Sequence, residues 1–90
     1  MPRYLVEREF PDRLIVPMDE TGAQACCGVV DANAKDGVTW IHSYVNNDKT
    51  RTFCIYDGPD ADAIRRAASR NNLPVQRITE VRVLDPYFYR

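Results

Sequence analysis

The sequence has one histidine, one tryptophan and four glycines in 90 residues, and each scarcity excludes something. His42 stands without H-x-H or C-x-x-C spacing, so no motif-defined metal site is present. The glycines form no phosphate-cradling loop, and no nucleophile elbow or paired-acid motif occurs, so nothing in the motifs identifies an enzyme. No apolar run is long enough to span a bilayer, and the opening MPRYLVEREF lacks a signal peptide's apolar core. A cytoplasmic protein with no membrane partner is the expectation. Three cysteines is an odd number, and Cys26 and Cys27 are adjacent, which argues against a disulfide framework.

Charge of one sign is also lacking. Twelve basic residues face thirteen acidic ones, for a net charge of -1. No stretch collects charge of one sign, which argues against nucleic acid as the main partner, since such binding needs a positive field along one face. The cluster Arg65, Arg66 and Arg70 falls late in a predicted helix, where it complements the helix dipole.

What is there is a globular composition, 44% hydrophobic, in a length suited to one domain spanning 1–90. YLVEREF alternates and is stopped by Pro11, as a strand is. PDRLIVPM is a loop, with Leu14 to Val16 extended across the surface. From Asp19 to Lys35, residues Ala23, Cys26, Cys27, Val30 and Ala34 recur at the spacing of one helical face, with Thr21 and Gln24 as a capping box and Gly37 as a stop. VTWIHSYVN and KTRTFCIYD are alternating runs joined through Asn47-Asp48, which is hairpin chemistry. GPDADAIRRAASRNN carries Pro59 and acids at its start and Asn71-Asn72 at its end, the pattern of a second helix. ITEVRVLD alternates again.

The order is therefore strand, helix, strand, strand, helix, strand. This α+β sequence of elements predicts a ferredoxin-like βαββαβ fold, a four-stranded antiparallel sheet with two helices on one face. The other face has no helix to cover it, and a homodimer packed through that open face is the economical solution. The aromatic tail DPYFYR is expected to pack on the partner or over the open face.

A two-residue turn at Asn47-Asp48 sets Val45 opposite Thr50, Ser43 opposite Thr52 and Ile41 opposite Cys54 on one face. It sets Trp40 opposite Ile55, His42 opposite Phe53 and Tyr44 opposite Arg51 on the other. His42 and Cys54 then point to opposite sides of the sheet. The small residues Ile41, Ser43, Val45, Thr52 and Cys54 suit the helix-facing side. In the last strand Val81 and Val83 are assigned to the core and Glu80, Arg82 and Leu84 outward. In the first, Leu5, Glu7 and Glu9 turn outward while Tyr4, Val6 and Arg8 turn toward the helices, where Arg8 sits awkwardly.

On this assignment the open face presents Glu7, His42, Glu80 and Arg82 amid Trp40, Tyr44 and Phe53. Polar groups within an aromatic rim describe a small-molecule cleft, and equally a dimer interface. His42 with Glu7 or Glu80 offers imidazole and carboxylate donors suited to nickel, zinc, copper or iron. The plain alternative is a sheet histidine paired with a carboxylate. For Cys26, Cys27 and Cys54 the plain alternative, a small buried hydrophobe, is favoured.

The stretches MPRYLVEREFP, VTWIHSYVNNDKTRTFCIYDGP and AIRRAASRNNLPVQRITEVRVLDP together resemble the small proteins grouped as domain of unknown function 4242, some of which are described as nickel-binding. The resemblance implies a ferredoxin-like dimer and nickel as the bound metal. It does not fix the ligands. From the faces, His42, Glu7 and Glu80 are the candidate donors, with Cys54 as the thiolate alternative.

Overall fold

In the computed structural model, residues 2–14 and 20–89 are described. The elements run β1 (Arg3–Glu9), α1 (Glu20–Ala34), β2 (Thr39–Val45), β3 (Arg51–Asp57), α2 (Ala61–Arg70) and β4 (Arg77–Val81), followed by a short 3-10 turn at Pro86–Tyr89. All strand pairings are antiparallel, and the sheet order is β2-β3-β1-β4. This is the ferredoxin-like βαββαβ arrangement. The extended stretch expected at Ile15 and Val16 and the helix start expected at Asp19 lie outside the described residues.

Helix α2 packs on the sheet and supplies part of the core. Asp60 caps α2, its carboxylate accepting from the Ala63 amide at 2.8 Å, and Asn71 closes it by donating its amide to the Ala67 carbonyl. The helix buries Ala63, Ile64, Ala67 and Ala68, and three of these join Tyr4, Val6, Val38, Cys54 and Tyr56 in the core. Ile64 is 1% exposed, and burial of such a side chain stabilises the fold by about 1.5–3 kcal/mol.

Helix α1 departs from expectation. As described it runs Glu20–Ala34, which places Thr21 inside the helix and not ahead of it. Its buried positions are Gly22 and Asn33, with Cys26 and Val29 half-buried between them. Ala23, Cys27, Val30 and Ala34 of the expected stripe are exposed. Small residues occur all around this helix, so no sharp apolar stripe fixes its rotation. Ala25, Cys26 and Val29 of this helix line a space between it and the sheet.

The hairpin loop is longer than two residues. Asn46 donates its amide to the Arg51 carbonyl, Lys49 takes a left-handed φ of 62°, and Asp48 accepts from the Thr50 amide. The added length moves the register by two, setting Tyr44 opposite Phe53, Ser43 opposite Cys54 and Val45 opposite Thr52. A shift of two preserves the faces of these residues. A β-bulge between Trp40 and His42 then leaves Ile41 as the extra residue and sets Trp40 opposite Tyr56. Trp40 packs against the core on the helix side while Ile41 is 39% exposed, the reverse of their expected faces.

Strand β4 also reverses its expected faces. Ile78 pairs with Val6 and packs against the core, Glu80 pairs with Tyr4 on the helix side, and Val81 pairs with Arg3 on the open side. The strand ends at Val81, leaving Val83 and Leu84 exposed. Tyr87 of the terminal turn is 69% exposed. No helix among the described residues is long and apolar enough to cross a membrane.

Candidate functional site

The open face of the sheet is built from alternate residues of four strands. One row runs His42, Ile55, Leu5 and Thr79, and the next runs Tyr44, Phe53, Glu7 and Arg77. Leu5, Phe53 and Ile55 are only half-buried, and Tyr44 is 63% exposed. His42 is exposed, its ring edge-on to Tyr44 at 5.1 Å between centroids. The Arg51 guanidinium lies 5.7 Å over the Phe53 ring.

Glu7 is the carboxylate in the middle of this face. Its two oxygens lie 3.8 Å from Arg51 and 4.0 Å from Arg77, loose ion pairs that leave both oxygens able to take other partners. His42 and Glu7 share the face but sit two strands and one row apart, roughly 12 Å between backbones from strand spacing and rise. No group of three or more His, Cys, Asp or Glu side chains close enough to hold a metal occurs among the described residues.

The remaining candidates lie across the sheet from His42. Glu80 is on the helix side, where its carboxylate adds to burial in pushing the Tyr4 hydroxyl's pKa up. Cys54 is buried there, its thiol 3.5 Å from the Thr52 hydroxyl. Trp40 is also there, its indole N–H donating to Ser43 at 2.9 Å, so the aromatic rim expected on the open face reduces to Tyr44 and Phe53. Arg82 lies beyond the end of β4 and is exposed.

The helix side holds a feature that the sequence reading passed over. A cavity of about 430 Å³ lies between α1 and the sheet, with Phe10, Leu14, Val29, Val45 and Leu73 among its apolar walls. Arg8 lines it and is 3% exposed. Its guanidinium donates to the Pro74 carbonyl at 2.7 Å and to the Tyr56 hydroxyl at 3.1 Å. The available signal was the charged residue at an inward position of an otherwise apolar strand face.

The family described as "Nickel responsive protein SCO4226-like" matches residues 4–81. The chain belongs to this SCO4226-like family. The solved structure of SCO4226 from Streptomyces coelicolor A3(2) matches with a TM-score of 0.72, covering 92% of this chain and 99% of that one at 16% identity. At that identity the likeness speaks for the fold alone. No curated protein matches the sequence. Membership of the SCO4226-like family agrees with the resemblance read from the sequence and makes nickel the metal to set against the donors above.

Proposed function

We propose that this protein binds nickel, or a related divalent transition metal, on the open face of its sheet and serves in nickel storage, buffering or response. The observation that carries the reading is His42, an exposed imidazole on an uncovered, half-apolar face in a chain of a nickel-responsive family. Imidazole nitrogen is a good donor to nickel, and Glu7 supplies carboxylate oxygen on the same face.

One chain brings too few donors together among its described residues, so the proposed site is completed when a second copy packs its open face against the first. Two-fold symmetry makes such contacts reciprocal, so a packing that sets His42 of one protomer on the Glu7 side of its partner forms two equivalent sites. Cover for Leu5, Phe53, Ile55 and Tyr44 supplies the apolar drive for that association.

Nickel titration by calorimetry on untagged protein, beside sedimentation with and without the metal, tests this. Wild type is expected to bind nickel as a dimer, His42→Ala to lose at least about tenfold in affinity, and Cys54→Ser to bind as wild type. Loss of binding in the Cys54 variant alone would move the metal to the helix side. A monomer that binds no nickel would overturn the proposal.

A further inference from the structure

We infer that the cavity between α1 and the sheet is a binding site for a small organic carboxylate with an apolar body, and that Arg8 is the residue that receives its charge. This inference is independent of the metal reading, because the cavity lies across the sheet from His42.

Arg8 is the starting point. Both partners named above, the Pro74 carbonyl and the Tyr56 hydroxyl, are neutral, and no carboxylate lies within ion-pair distance among the described residues. Its Nε is buried without a hydrogen-bond partner. The Tyr56 ring 5.9 Å away offers the cation a π face but no opposite charge. A buried charge normally persists only when paired and fully hydrogen-bonded, and arginine is the side chain least able to shed its charge. The protein therefore carries, on the wall of a cavity, a buried cation with no opposite charge beside it among the described residues.

The walls define the rest of the ligand. Phe10, Leu14, Val29, Val45 and Leu73 are apolar, which suits an aliphatic or aromatic body. Among the described lining residues Arg8 is the single cation, so a monoanion matches the site better than a phosphate does. A carboxylate also presents two oxygens to the guanidinium fork. The volume of about 430 Å³ lies within the range of small-molecule pockets.

Trp40 lines the cavity and is the chain's only tryptophan, so its emission reports from the site. The probes are octanoate and its neutral counterpart octanamide, titrated into untagged protein. Octanoate is expected to change Trp40 emission and to bind at least about tenfold more tightly than octanamide, the worth of a charge-assisted hydrogen bond. Ala25→Phe places a ring in the cavity from α1 and is expected to weaken both probes by at least about tenfold. Arg8→Met is expected to abolish the preference for the acid. Should that variant fail to fold, the acid–amide pair on wild type and the Ala25→Phe variant still decide the matter. Equal affinity for acid and amide, no binding of octanoate, or unaltered binding to the Ala25→Phe variant would each overturn the inference.

Discussion

Arg8 and Tyr56 reach each other along neighbouring strands, the guanidinium donating to the phenol oxygen at 3.1 Å inside the core. Tyr56→Phe removes that acceptor and leaves a second donor of a buried cation unsatisfied. A loss of about 1–3 kcal/mol in unfolding free energy is expected, measured by urea denaturation near neutral pH. Burial holds the Tyr56 hydroxyl above its ordinary pKa of 10.0, although the Arg8 charge opposes the shift. The raised value means that the neutral phenol's contribution is complete below about pH 10 and is lost as pH rises through the folded pKa. The stability difference between wild type and the variant should therefore shrink above about pH 10. A difference that stays constant through the alkaline range would show that Tyr56 does not titrate with unfolding.

Asp36, in the turn after α1, ties that turn to α2 by accepting from Arg70 Nε at 2.8 Å and Arg66 Nε at 3.3 Å. The hydrogen bond from Arg70 is the main cause of its lowered pKa, with the Arg66 contact adding to it. A depressed carboxyl pKa contributes stability that is present above the ordinary value of 3.8 and is lost as pH falls through the folded pKa. Asp36→Asn is expected to lower the melting temperature at pH 7, with the two proteins converging below about pH 3.8. Melting curves between pH 7 and pH 2.5 check this, and parallel curves over the whole range would contradict it.

The element order was legible because each strand and each helix carries its own period and its own stop signals. The face of β1 was readable down to Arg8, whose inward position is borne out. The faces of His42, Ser43, Tyr44 and Val45 were also readable, since the longer hairpin loop moved the register by an even number. Trp40 and Ile41 exchanged faces because a bulge separates Trp40 from His42, and two adjacent apolar residues give no local sign of which will be the extra one. The stretch ITEVRVLD has apolar residues on both alternations, Ile78 on one and Val81 with Val83 on the other, so its pattern does not choose a face for β4. The cavity was not legible at all. It arises from how α1 stands over the sheet, a tertiary matter that small side chains on every side of a helix leave unspecified.

Two glycines should respond in opposite directions to the same substitution. Gly28 lies inside α1, where an added Cβ meets nothing within 4 Å, so Gly28→Ala is expected to stabilise the protein by about 0.5–1 kcal/mol through reduced freedom of the unfolded chain. Gly58 follows β3, where an added Cβ would sit 2.9 Å from Ile64 Cδ1 and 3.4 Å from Val38 Cγ2. Ile64 is packed in the core with little room to withdraw, so Gly58→Ala is expected to cost about 1–3 kcal/mol as overpacking. Urea denaturation of both variants under one buffer condition separates the two effects. If Ile64 is what makes Gly58 necessary, Ile64→Val, which removes the clashing methyl, should cost less in the Gly58→Ala background than in wild type. Equal costs in the two backgrounds would mean that the glycine is held by something other than the approach of Ile64.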